Sequence, residues 1–113
     1  MKRILAAFAL IALNSGCGGN NCERDAENYR PRECAIKVAS RDFRWRWFSI
    51  SGTNTKDGTQ NTYSDLGSWY PLFTEHIAIG DTVVKHMNEL VFYVHKKDTV
   101  LAFPFDCEGK VFH

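Results

Sequence analysis

Three short apolar runs near the end of the chain constrain its fold more than any other feature. They are Thr82 to Lys85, Leu90 to His95 and Thr99 to Phe105, and the polar stretches HMNE and KKD separate them. Short runs rich in β-branched and aromatic residues, joined by short polar loops, are typical of antiparallel strands. We therefore predict a three-stranded meander at the C-terminal end.

The loop lengths set the predicted register of this meander. A turn around Met87 and Asn88 places Val84 opposite Val91 and Val83 opposite Phe92. With a three-residue KKD loop, one face carries Val91, Tyr93, Leu101 and Phe103, and the other carries Leu90, Phe92, Val94, Val100 and Ala102. Two apolar faces predict a small closed barrel or sandwich, or a face reserved for a partner.

The stretch RDFRWRWFSISG, residues 41–52, alternates aromatic and basic side chains. Alternation at period two predicts one strand up to Ile50 that turns Trp45 and Trp47 towards the core and the arginines outward. The alternative turns the rings outward as a sugar-stacking platform. Trp69 and Tyr93 complete the set of aromatic side chains that we consider for binding.

From Cys34 onward the sequence predicts strands, beginning where Ile36 and Val38 alternate with Lys37, and the segments between the strands are less regular. Residues 53–61 are polar with an Asp57-Gly58 turn signal and predict a surface loop or wide hairpin, and residues 63–79 predict irregular coil with one short helical turn over the core. Pro104 predicts an edge position in the last strand. We expect a mainly β fold, a small antiparallel barrel or sandwich, with short or no helix beyond the N-terminal signal; one or two helical turns fit residues 21–29.

The first residues have the layout of an export signal. Lys2 and Arg3 precede an apolar run from Ile4 to Leu13, and small residues follow. Ten apolar residues span only about 15 Å as a helix, which is too short to cross a bilayer.

The end of this segment, with Ser15 and Gly16 immediately before Cys17, resembles the lipobox of bacterial lipoproteins. The resemblance implies cleavage before Cys17 and acyl chains such as palmitate on its thiol. It divides the chain into a signal peptide (1–16), a lipidated cysteine and tether (17–33) and a small β domain (34–113). The residue directly after this cysteine is Gly18 rather than an aspartate, which is similar to lipoproteins sent to an outer membrane. The alternative is an ordinary secretory signal that leaves Cys17 for a disulfide.

Three cysteines remain if Cys17 carries lipid: Cys22, Cys34 and Cys107. Disulfides persist outside the cytoplasm, so we expect Cys22 to be paired, with either of the other two as its partner. The spacing of the cysteines matches no compact zinc site, and we predict no metal and no cofactor.

Charge and motifs exclude several functions. Removal of Lys2 and Arg3 lowers the net charge from +1 to −1, which offers no basic field for nucleic acid. The sequence carries no nucleophile elbow, and its carboxylates are scattered, so we predict no catalytic residues and no enzyme.

The C-terminal stretch GDTVVKHMNELVFYVHKKDTV, followed by FPFDCEGK, resembles small uncharacterised bacterial lipoproteins. The resemblance implies a location and no activity. We expect a membrane-anchored envelope lipoprotein whose non-catalytic β domain binds an envelope protein, as an accessory subunit or a toxin-immunity protein. A carbohydrate-binding module and a small envelope enzyme are the alternatives.

Overall fold

The structure is a computed structural model and describes residues 21–113. The described chain begins with one α-helix, α1, and continues as seven strands. Two short 3₁₀ turns, Tyr70–Leu72 and Thr74–His76, lie between the third and fourth strands. The elements are α1 (Cys22–Tyr29), β1 (Cys34–Arg44), β2 (Trp47–Asn54), β3 (Gln60–Leu66), β4 (Thr82–Lys85), β5 (Val91–His95), β6 (Val100–Cys107) and β7 (Lys110–Phe112).

The strands form one antiparallel sheet in the order β3-β2-β1-β4-β5-β6-β7. The predicted mainly β, antiparallel fold is confirmed, as is the C-terminal meander β4 to β6, and among residues 21–113 the only α-helix is the short α1. The sheet is not closed, because its outer strands β3 and β7 do not pair with each other. An open, curled sheet therefore replaces the barrel that we considered.

Aromatic contacts show how strongly the sheet curls. Phe48 on β2 and Phe92 on β5 are three strands apart in the sheet order, a separation of about 14 Å in a flat sheet. Their ring centroids lie only 6.0 Å apart. Tyr63 on β3, one strand further away, lies 5.8 Å from the same Phe92 ring. The two ends of the sheet thus fold towards each other around a shared aromatic core.

A β-bulge and a glycine allow this bend. The register between β1 and β2 shifts between Val38 and Ser40, and Gly52 lies opposite Val38. A Cβ atom at Gly52 would lie 1.8 Å from the carbonyl oxygen of Lys37, so only glycine permits this close approach of the two backbones.

The gap left by the open sheet is filled by α1 and by residues 67–79. Tyr29 from α1 and Trp69, Tyr70 and Phe73 from the connection are buried against the core faces of the strands. The sequence predicts irregular backbone over the core for residues 63–79, and most of this segment has that structure. Its first part differs, because Tyr63 lies in strand β3.

The predicted single strand through Phe43 and Ile50 is wrong. Residues 34–54 form a hairpin that reverses at Trp45 and Arg46, with Arg44 paired to Trp47. Phe43 and Phe48 are opposite each other, and their rings stack at 5.1 Å on the core face. The reversal turns Trp45 and Trp47 away from the core, contrary to the prediction.

The register of the meander also differs from the prediction. Val84 faces Tyr93 rather than Val91, a shift of two residues that keeps each side chain on its predicted face. The β5–β6 loop has four residues instead of three, because the Lys96 N–H bonds to the Thr99 carbonyl and His95 pairs with Val100. This one-residue change moves every β6 side chain to the opposite face.

The corrected faces of the meander follow from this register. The core face carries Phe92, Val94, Leu101 and Phe103, and the outer face carries Val91, Tyr93, His95, Val100, Ala102 and Pro104. Pro104 lies just before the three residues that pair with β7, so β6 has a neighbour on one side only at this position. This agrees with the predicted edge position.

Candidate functional site

The most exposed aromatic surface lies where the β1–β2 hairpin reverses. We define the hairpin tip as Trp45, Arg46, Trp47, Leu66 and Pro71. Trp45 is 85% exposed, Leu66 62% and Trp47 38%. Large apolar side chains with this much exposure mark a candidate contact surface when they are grouped.

Local backbone structure fixes the hairpin tip. Trp47 and Leu66 are cross-strand partners, and the Gly67 N–H donates to the Arg46 carbonyl oxygen at 2.9 Å. Trp45 has a φ of +58°. Two-residue hairpin loops require a positive φ, and glycine or asparagine usually occupies such a position. The chain therefore accepts backbone strain to present a tryptophan at this position.

A polar cleft of about 330 Å³ opens beside the hairpin tip. Its charged lining consists of Asp25, Arg32, Arg46 and Asp65, and the Arg32 guanidinium pairs with the Asp65 carboxylate at 3.1 Å. A second hollow of about 260 Å³, lined by Trp45, Arg46, Ser68 and Pro71, is mostly apolar. Arg46 thus borders both a charged and an apolar depression.

A hydrogen-bond chain runs from the core to this cleft. The hydroxyl groups of Tyr63 and Tyr70 lie 2.8 Å apart, and the Tyr70 hydroxyl donates to the Asp65 carboxylate. Burial raises the pKa of both tyrosines, so both hydroxyls stay protonated and available as donors. These hydrogen bonds hold the Asp65 side chain in place at the wall of the cleft.

A second candidate surface is the outer face of the meander. A row of side chains crosses four strands in register, from Ala35 through Val84 and Tyr93 to Ala102. Val100 on the same face is 51% exposed. The Tyr93 hydroxyl donates to the Glu89 carboxylate at 2.6 Å and turns the polar end of the ring towards the rim. The row itself is apolar.

The cysteines are arranged in one of the two ways left open. Cys22 and Cys107 form a disulfide, and Cys34 is a buried free thiol whose sulfur donates to the Val83 carbonyl. Burial raises the pKa of the Cys34 thiol to about 12, which makes it a poor nucleophile. Cys17 lies outside the described residues.

The predicted binding aromatics separate into different environments. Trp45 and Trp47 are at the hairpin tip and Tyr93 is on the outer face, so the structure does not bring all of them together. Trp69 is fully buried in the core, and it offers no surface to a ligand. Its indole N–H has no hydrogen-bond partner among residues 21–113.

Sequence reasoning missed the residues of the polar cleft. Asp25, Arg32 and Asp65 come from α1, the following loop and the end of β3, and no spacing in the sequence connects them. Among the charged residues of the cleft, only Arg46 belongs to a patterned stretch of the sequence, RDFRWRWFSISG.

No protein-family model, no curated protein and no solved structure matches the chain. Within residues 21–113, no cluster of three or more His, Cys, Asp or Glu side chains could hold a metal ion. The same residues include no helix that is long and apolar enough to span a bilayer.

Proposed function

We propose that the chain is an exported envelope lipoprotein, anchored in the outer membrane by acyl chains on Cys17, whose β domain binds a protein partner. The Cys22–Cys107 disulfide supports export, because such bonds persist in oxidising compartments. In binding this partner, the domain acts either as an accessory subunit or as an immunity protein that neutralises a toxin.

The outer face of the meander is the observation that carries the protein-binding proposal. A sheet face that is turned away from the core usually presents polar side chains to water. Here Val84, Tyr93 and Ala102 form an apolar row, and the half-exposed Val100 extends the apolar surface. Such a face loses unfavourable contact with water when another protein covers it.

The test uses the chain from Gly18 onward as bait for envelope proteins. We expect a stoichiometric partner that the Val100→Lys variant no longer captures, because a lysine in the apolar face would be buried on binding. Ile79→Lys is the matched control, since Ile79 is similarly exposed, at 56%, and lies in a loop. Capture that is unchanged by Val100→Lys would remove the outer face from the proposal.

Carbohydrate binding is the second candidate function. Beside Trp47 on the outward side of β2 and β3, two pairs of hydroxyls bond across the strands, Ser49 with Ser64 and Ser51 with Thr62, each at 2.8 Å. A ring next to hydroxyl groups favours sugar stacking and hydrogen bonding. Binding on a glycan array without any protein partner would support this candidate and overturn the first.

A further inference from the structure

We propose that the hairpin tip is a lipid-contacting surface that lies against the membrane to which Cys17 anchors the chain. The inference rests on the anchor in the proposed function and adds a second, non-covalent attachment to the same bilayer. Trp45, Trp47 and Leu66 supply the apolar contact, and Arg46 supplies a contact to lipid phosphate.

The position at which the chain enters the fold is the first argument. Asp25 lines the same cleft as Arg46, and the Asp25 N–H donates to the Asn21 carbonyl oxygen at 2.9 Å. Asn21 is therefore one helical turn from the wall of that cleft. Cys17 precedes Asn21 by four residues, which span at most about 14 Å when fully extended. An anchor at Cys17 consequently holds this end of the domain close to the bilayer surface.

The composition of the hairpin tip is the second argument. Tryptophan is enriched at membrane–water interfaces, where its ring enters the lipid boundary and its N–H stays hydrated. Trp45 is the most exposed of the large apolar residues in the described chain. Trp47 and Leu66 lie beside it as a cross-strand pair. Trp45 lies in the turn between β1 and β2, and Trp47 and Leu66 lie at the adjoining ends of β2 and β3, so the three side chains can meet an interface without any change in the sheet.

The charges around the hairpin tip favour headgroup phosphate. Arg46 makes no ion pair within residues 21–113, whereas Arg44 pairs with Asp42 at 2.9 Å. The acidic side chains near this end are mostly neutralised: Asp65 by Arg32, Glu27 by Arg30 and Glu23 by Lys110. Asp25 is the carboxylate in the cleft that makes no ion pair with any of residues 21–113. An unpaired guanidinium next to indole rings is suited to a phosphate, to which arginine donates two hydrogen bonds.

The test attaches the chain to a bilayer chemically, so that its outcome does not depend on acylation in the cell. The chain from Cys17 onward is coupled through Cys17 to maleimide lipid in phosphatidylcholine vesicles that contain brominated lipid. The Cys34 thiol is buried and does not compete for the maleimide. We expect tryptophan emission to be quenched by the bromines and shifted to shorter wavelength. Replacing both tryptophans of the tip, Trp45→Phe with Trp47→Phe, should remove most of the quenching, because the remaining tryptophan, Trp69, is shielded in the core.

An orientation control uses a Cys17→Ser, Lys56→Cys chain coupled through residue 56, in the loop at the other end of β2. This attachment points the hairpin tip away from the bilayer, and we expect little quenching. Equal tryptophan emission of the Cys17-coupled chain on brominated and plain vesicles would overturn the proposal. The hairpin tip would then be a candidate binding surface for a protein or a sugar. The anchor itself is tested separately, by the mass of the N-terminal peptide from the membrane fraction, where an unmodified Cys17 would overturn the lipoprotein assignment alone.

Discussion

Lys85 is an unusual residue for the inside of a small domain. It lies on the core side of β4, only 1% exposed, and its ammonium group donates to the carbonyl oxygens of Arg30, Arg32 and His86 at 3.3, 2.7 and 3.1 Å. The first two carbonyls follow the end of α1, where the helix dipole favours a positive charge. One side chain thus joins the helix terminus to the sheet. Burial lowers the pKa of Lys85 to about 8.

This lowered pKa predicts how stability depends on pH. Between pH 8 and 10.5 the folded state has released the Lys85 proton and the unfolded state still holds it, so the free energy of unfolding rises with pH. Relative to Lys85→Met, the wild type should gain up to about 3 kcal/mol across this range. Urea unfolding at several pH values measures the difference. Lys37→Met, at an exposed position, is the control and should leave the pH profile unchanged.

At the same scale, the sequence predicted the environment of some residues and not of others. Ile36 and Val38 are in the core and alternate with the exposed Lys37, as periodicity indicates. Trp45 and Trp47 were misplaced because the turn between the strands contains no Gly, Pro, Asn or Asp. Without such a signal, the alternation of ring and arginine continues unbroken through a turn that the backbone makes only by placing Trp45 at positive φ.

Among the elements, β3 carries the longer exposed edge of the sheet. The Gly67 N–H donates to Arg46 and the Asn54 N–H donates to Thr59, so the odd-numbered residues along β3 bond to β2. Pairing alternates along an antiparallel ladder, and the even-numbered residues therefore direct their N–H groups away from the sheet. Unpaired edge groups of this kind can recruit a strand from another molecule.

Two side chains of β3 cover this edge. The Thr62 N–H donates to the Asn61 side-chain oxygen at 2.8 Å, and the Leu66 N–H donates to an Asp65 carboxylate oxygen at 2.9 Å. Each acceptor belongs to the preceding residue of the same strand. The strand thereby satisfies part of its own edge and competes with pairing by another chain.

Removal of one of these caps should promote self-association. Asn61→Val leaves the Thr62 N–H open and adds a residue that favours strands. We expect more concentration-dependent dimer in analytical ultracentrifugation than the wild type forms. Gln60→Val is the control, because it adds the same side chain to the same edge and leaves the cap at Thr62 in place. Equal association of both variants would show that strand propensity, and not the cap, controls the edge.

The bend between β1 and β2 makes a second prediction for the elements. Gly52→Ala places a methyl group 1.8 Å from the Lys37 carbonyl oxygen, so the two backbones must separate. We expect a loss of about 3 kcal/mol of unfolding free energy in urea denaturation. Gly58→Ala, in an open loop at φ +77°, is the comparison and should lose only about 1 kcal/mol. Similar losses in both variants would contradict a role of Gly52 in the bend.

The strands were predictable where hydrophobic alternation is strong. The meander runs and the polar loop at Asp57-Gly58 match the structure. Strand β3 was missed because its sequence, QNTYSDL, has one buried aromatic side chain, Tyr63, in a polar edge strand. The faces of β6 depended on a single residue of loop length, and local sequence does not distinguish a three-residue loop from a four-residue one.

For the molecule as a whole, the Cys22–Cys107 disulfide connects α1 to the end of β6 across a sequence separation of 85. Closing a loop of this length stabilises the fold by about 4.5 kcal/mol in the chain-entropy model. Reduction should lower the free energy of unfolding by this order, as measured by urea denaturation with and without dithiothreitol. Cys34→Ala should show the same loss on reduction, because Cys34 takes no part in the bridge.

The open sheet and the polar cleft belong to this scale, and the sequence could not predict either. Whether a curled sheet closes depends on pairing between the two strands at its edges. Here these are β3 and β7, which lie more than forty residues apart in the sequence. The cleft arises where α1 and the hairpin tip meet, and only the folded chain brings them together.

The same disulfide has a mechanical consequence. A pulling force applied between residue 21 and His113 passes from Cys22 directly through the sulfur atoms to Cys107, and it bypasses the strands between them. Such a force can peel β7 away, but it cannot lengthen the 84 residues inside the covalent ring. A domain stretched between these two ends would yield by only a few residues before the load reached a covalent bond.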